Sequence, residues 1–151
     1  MPAPRPDSSF SGKTAVIIGG GVIGASWAAL FLVHGLEVIV SDPDPGIQPK
    51  VEALIAAALP ALEALGYETE GAQANLSFEK DNAKAVANAD IVQECGPESA
   101  AFKQGLWKAI EAAAPKDALL FSSSSTIPAS VQFTQMTDQS RLLIEIGRAS
   151  V

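Results

Sequence analysis

The chain of 151 residues contains one cysteine and one histidine, and only ten Lys and Arg face seventeen Asp and Glu. A lone thiol, Cys95, can neither close an internal disulfide nor build a cysteine-rich metal site. No metal is expected, and the thiol fits a reducing, cytoplasmic setting. The shortage of cations leaves a net charge of -7. Phosphate-backbone binding comes mostly from Lys and Arg, so nucleic acid is not an expected partner. The first nine residues hold Pro2, Pro4, Pro6, Ser8 and Ser9 but hardly any apolar bulk, which excludes the apolar middle of a secretion signal. Ala15 to Val33 carries no charged residue, a length that on paper approaches the roughly 20 residues of a bilayer span. It also carries Gly19, Gly20, Gly21 and Gly24, and a glycine triplet would open the backbone in lipid. No membrane partner is expected.

What is present is apolar bulk: 48% of residues are hydrophobic and 18% charged, enough for one compact domain with a real core. The expected organisation is a flexible tail over 1–10, a folded domain over 11–146 and a short tail over 147–151. Thr14 to Ile18 reads as a buried β-branched strand and Val22 to Val33 as a helix stopped at His34-Gly35. Leu36 to Val40 is a second strand, followed by a turn-rich Ser41 to Gly46 and a long helix that Pro60 should kink or split. Leu76 to Phe78 is a third strand, with Asp81 or Asn82 capping a helix over Ala83 to Ala87. Ile91 to Glu94, Ala118 to Ser122 and Arg141 to Ile146 complete six strands. Between them, one helix starts at Pro97-Glu98 and another at Pro128. Strands alternating with helices predict an α/β Rossmann fold: a doubly wound parallel sheet with helices on both faces.

The stretch Gly19-Gly20-Gly21-Val22-Ile23-Gly24 satisfies G-x-G-x-x-G, follows a strand and opens a helix. Asp42 stands at the end of the next strand, near the interval of about 20 residues that the dinucleotide fingerprint requires. Gly19 allows the tight turn, Gly21 lets backbone approach a pyrophosphate, and Gly24 lets helix and strand pack, while free N–H groups of Val22, Ile23 and Gly24 face the anion. An acid at 42 would accept from ribose hydroxyls and repel a 2'-phosphate, which favours NAD over NADP. Two alternatives stand beside this: glycines that serve packing alone, and a flavin site, which typically places Glu at the second strand's end and needs a longer chain.

The glycine loop through Ala28, the Ser41-Asp42-Pro43 turn, Ala89 to Glu94 with Pro97-Glu98, and Ser122 to Ser125 with Pro128 together resemble the L-3-hydroxyacyl-CoA dehydrogenases. The branch with carnitine 3-dehydrogenase and lambda-crystallin is the nearest in pattern, and the resemblance covers about Lys13 to Ile144. It implies NAD as cofactor and an L-3-hydroxyacyl-CoA, or a related 3-hydroxy acid such as carnitine, as the small-molecule substrate. It places Glu98 beside the nicotinamide ribose, Lys103 at the cofactor, Ser123 at the nicotinamide half and Ser125 at the substrate oxygen. It also implies a histidine near the sixth strand to take the hydroxyl proton. That position here is Ile146, which has no proton-accepting atom. Two expectations follow: the cofactor-binding half of such a dehydrogenase, truncated or frame-shifted after Ile144, or a free-standing NAD-binding or sensing module. Loss of a helical half would leave an apolar surface for a second copy, giving a homodimer.

Overall fold

The computed structural model describes residues 8–146. Segments 1–7 and 147–151, where most of the two expected tails fall, lie outside the described residues, and Ser8–Phe10 form a single 3-10 turn.

Among the described residues, six strands alternate with five α-helices. They are β1 (Thr14–Ile18), α1 (Val22–Val33), β2 (Glu37–Ser41), α2 (Ile47–Ala64), β3 (Leu76–Phe78), α3 (Asn82–Val86), β4 (Ile91–Glu94), α4 (Ala100–Ala113), β5 (Leu119–Ser122), α5 (Ala129–Gln132) and β6 (Leu142–Ile144). All neighbouring strands pair in parallel, in the order β3-β2-β1-β4-β5-β6. The sheet grows outward from β1 to β3, then returns to the other side of β1 for β4. This reversal opens a crevice at the carboxyl ends of β1 and β4, where open α/β sheets bind ligands.

Alternation along the strands divides the core. Ile17, Val38, Ala28, Leu32, Val51 and Ile55 pack between the sheet and α1 and α2. Val16, Val92, Leu120, Leu106, Trp107 and Ile110 pack on the other face under α4. Each large buried apolar side chain contributes about 1.5–3 kcal/mol, which is why β1, covered on both faces, is apolar from Ala15 to Ile18. Trp107 is fully buried, and its indole N–H donates to Gln132 Oε1 at 2.9 Å.

Several boundaries differ from expectation. Helix α2 runs unbroken through Pro60. The carbonyl that Pro60 leaves without a donor belongs to Ala56, and both residues are exposed, so water can satisfy it. Helix α4 starts at Ala100 rather than at Pro97-Glu98, because Ser99 caps it by accepting from the Phe102 N–H at 3.3 Å. Glu98 is thereby left in the loop. Pro128 is the cap of α5 rather than its first residue, β2 and β5 each start one residue later than read, and β6 is confined to Leu142–Ile144. Of Asp81 and Asn82, Asp81 is the cap of α3, accepting from the N–H groups of Ala83 and Lys84, and the helix covers Asn82–Val86, one residue earlier than the expected Ala83 to Ala87. Among the described residues no helix is long and apolar enough to cross a membrane.

Candidate functional site

The glycine turn joins β1 to α1. Gly19 has φ +98°, a left-handed conformation that favours glycine, and its N–H donates to the Ser41 carbonyl at 2.8 Å. A Cβ there would lie 2.9 Å from the Cys95 carbonyl oxygen, and one on Gly24 would run into the carbonyl of Gly19. A Cβ on Gly20 would lie 2.5 Å from Ile47 Cγ1. Gly21 differs from all three: a Cβ there meets nothing within 4 Å. It is the N-cap of α1, and no side chain caps it. The first turn of α1 therefore presents its N–H groups and positive helix end to an open surface. Val22 is 65% and Ile23 50% exposed beside it.

Asp42, just past β2, faces this turn. Its Oδ2 accepts from the Gly20 N–H at 2.8 Å and its Oδ1 from the Asp44 N–H at 2.9 Å. A carboxylate has about four lone-pair sites, so each oxygen keeps capacity for a hydroxyl. A cavity of about 180 Å³ opens at Asp42, lined also by Val40, Ile47 and Phe78. Gly20 is the variable position of the motif, and its two roles appear only once α2 and Asp42 are placed around it.

Across β1, the ends of β4 and β5 carry a polar cluster. Glu94, the last residue of β4, is fully buried and pairs with Lys103 of α4 at 2.7 Å through both carboxylate oxygens. It also accepts from the Gly96 N–H at 2.7 Å and the Ser122 hydroxyl at 2.8 Å. Lys103 is 1% exposed, not on a solvated helix face, and reaches Glu98 Oε1 at 3.3 Å. Glu98 Oε2 accepts from the hydroxyls of Ser124 and Thr126 at 2.7 and 2.8 Å. Burial alone would push the Glu98 carboxyl up, but these hydrogen bonds and the Lys103 charge hold it below its ordinary value. Glu98 remains 45% exposed.

Ser123 Oγ accepts from Gln93 Nε2 at 2.7 Å and lies 3.4 Å from Cys95 Sγ. Burial pushes the Cys95 thiol up to about 11, so it stays neutral and inert near pH 7. Ser125 is exposed. The fold thus brings Gly19, Gly21, Val22, Ile23, Gly24, Asp42, Glu98, Ser123 and Ser125 to the carboxyl edge of the sheet, and sets Lys103 beneath it. Glu94, Ser124 and Thr126 were missed by sequence reasoning. The available signal was an acid closing a strand nine residues before a lysine.

An open glycine turn and an acid at the next strand's end, on a sheet of this order, define a dinucleotide-binding Rossmann domain. The model of the family "3-hydroxyacyl-CoA dehydrogenase, NAD binding domain" matches residues 14–145. The chain belongs to that family, and its cofactor is NAD. It is 43% identical over 113 residues to an L-carnitine dehydrogenase of Pseudomonas sp, covering 75% of this chain and 35% of that protein. It is 38% identical over 135 residues to a 3-hydroxyacyl-CoA dehydrogenase of Gibberella moniliformis, covering 89% and 41%. The chain thus spans well under half the length of these curated relatives. The crystal structure of (S)-3-hydroxybutyryl-CoA dehydrogenase PaaH1 from Ralstonia eutropha superposes with a TM-score of 0.76 at 24% identity, over 89% of this chain and 48% of that one. At that identity it speaks for the fold alone.

Proposed function

We propose that residues 11–146 are the NAD-holding domain of an oxidoreductase that interconverts a 3-hydroxy and a 3-oxo group on a small acyl substrate, a 3-hydroxyacyl-CoA or carnitine. The observation that carries this reading is the placement of an open, uncapped helix start at Gly21 between two carboxylates, Asp42 on one side of β1 and Glu98 on the other. The donor set fits the cofactor. The N–H groups of Val22, Ile23 and Gly24 would face the pyrophosphate, Asp42 the adenosine ribose, and Glu98 and Ser123 the nicotinamide half, with Lys103 behind Glu98 and Ser125 toward the substrate oxygen. When bound, the nicotinamide supplies the hydride acceptor or donor; the chain's own residues bind and orient. The relatives' names support the substrate class, since both name molecules with a hydroxyl at the third carbon.

The test is calorimetric titration with NADH and NADPH. A carboxylate at 42 repels a 2'-phosphate, so NADH binds at least about tenfold more tightly; equal or reversed preference overturns the assignment.

A second reading, binding or sensing without turnover by this chain, is favoured by Ile146, 50% exposed at the position where the resemblance places the proton-accepting histidine. His34 is not a substitute: it caps the far end of α1, with Nδ1 2.8 Å from the Leu30 carbonyl. The chain mixed with NAD and either carnitine or 3-hydroxybutyryl-CoA should generate no NADH. Saturable NADH production would eliminate this second reading.

Association into a homodimer is supported by Leu119 and Leu143, 54% and 57% exposed on strands β5 and β6. Sedimentation showing a monomer at all concentrations would remove it. A cytoplasmic setting is supported by the single, unpaired thiol.

A further inference from the structure

We propose that Glu94, which touches no cofactor in the reading above, is a positioning residue: it holds the Lys103 ammonium back from Glu98, so that Glu98 keeps an oxygen for the nicotinamide side of the cofactor. The inference rests on the cofactor reading of Glu98.

The Lys103 ammonium sits asymmetrically between two acids. Lys103 has three hydrogens and two acidic neighbours, yet it lies 2.7 Å from both oxygens of Glu94 and 3.3 Å from Glu98. Glu94 cannot follow the ammonium outward, because Ser122 and the Gly96 N–H hold its oxygens from β5 and from the loop. Stability does not explain the arrangement, since a buried ion pair is often replaced by apolar residues without loss. Its outer end is a half-exposed carboxylate at the sheet's binding edge. One oxygen of Glu98 is occupied by Ser124 and Thr126, so the other, facing Lys103, is the less committed. Without Glu94, the nearest counter-charge for Lys103 is that oxygen, and full contact would occupy it and draw Glu98 inward.

Glu94→Gln keeps the shape and one acceptor while removing the charge. NADH fluorescence titration of the chain should show affinity falling about fivefold or more. In a Glu98→Gln background the same substitution should change affinity by less than about twofold, because its route runs through Glu98. Equal losses in both backgrounds would mean a merely structural role and overturn the proposal. An independent readout is the Glu98 carboxyl titration followed by NMR on isotope-labelled protein. Its midpoint falls in Glu94→Gln as the ammonium closes on it, and an unmoved midpoint overturns the relay whether or not NADH binds. Wild-type protein that fails to bind NADH refutes the cofactor reading instead. Should Glu94→Gln not fold, the wild-type spectrum decides: a Lys103 ammonium signal that moves as Glu98 titrates supports the coupling, and an indifferent one overturns it.

Discussion

An ammonium group at 1% exposure persists only with its charge partners in place, and Lys103 has two. Lys103→Met leaves the fully buried Glu94 with only neutral donors. Removing one member of a buried pair costs about 3–5 kcal/mol, and urea denaturation should show a loss of that size. Replacing both charges, as in Glu94→Leu with Lys103→Met, should recover most of it, because well-packed apolar side chains of similar volume are tolerated at such sites. A double variant as unstable as the single one would mean that the Ser122 and Gly96 hydrogen bonds to Glu94, not the charge pair, hold this corner. With no ammonium left to close on Glu98, the double variant should bind NADH more tightly than Glu94→Gln alone, which separates stability from the placing of Glu98.

The turn between β1 and α1 separates two uses of glycine that one motif conflates. Gly19 is required by its own backbone: φ +98° and a carbonyl 2.9 Å from any Cβ. Gly19→Ala should cost roughly 1–3 kcal/mol from the left-handed conformation alone, seen as a lower melting temperature. Gly21→Ala meets open space in an extended conformation, so melting should hardly change while NADH affinity falls, the methyl occupying the approach to the pyrophosphate. Equal melting losses in the two variants would contradict this division. Elements as strongly patterned as β1 and α1 were legible to the residue, because a buried β-branched run ends at glycines. Helix starts were less so. Pro97 and Glu98 mimic a first turn, and only the competing cap at Ser99 shows that Glu98 stays outside the helix and free to face the site. The glycine loop and Asp42 were legible because their chemistry is local in sequence. Glu98 and Lys103 came only through the resemblance, and Glu94, Ser124 and Thr126 were not legible, since their contacts exist only when the ends of β4, β5 and α4 converge.

For the molecule as a whole, these contacts set a pH window. The carboxyls of Asp90 and Glu98 are both held below their ordinary values of 3.8 and 4.5. Asp90 is lowered chiefly by the Thr14 N–H, with Lys13 adding to it, and this contact fastens the start of β1 to that of β4. In Glu98 the hydrogen bonds from Ser124 and Thr126 and the charge of Lys103 overcome burial. A folded-state value below the unfolded one means that the unfolded chain takes up protons first as pH falls. The stabilisation is therefore complete above the unfolded values and drains away as pH drops through the lower folded ones. Cys95 acts in the opposite direction. Burial raises its thiol from 9.0 to about 11, so the unfolded chain loses that proton first, and stability declines as pH climbs between those values. The melting temperature should accordingly be flat between the two limits, fall on the acid side below the ordinary carboxyl range, and fall again above pH 9.0. Asp90→Asn should blunt the acid limb and Cys95→Ala the alkaline one, each leaving the other unchanged. A Cys95→Ala profile that still declines as steeply at alkaline pH would show that Lys50, whose value is raised by its pairing with Asp44, or another cation governs that limb rather than the thiol.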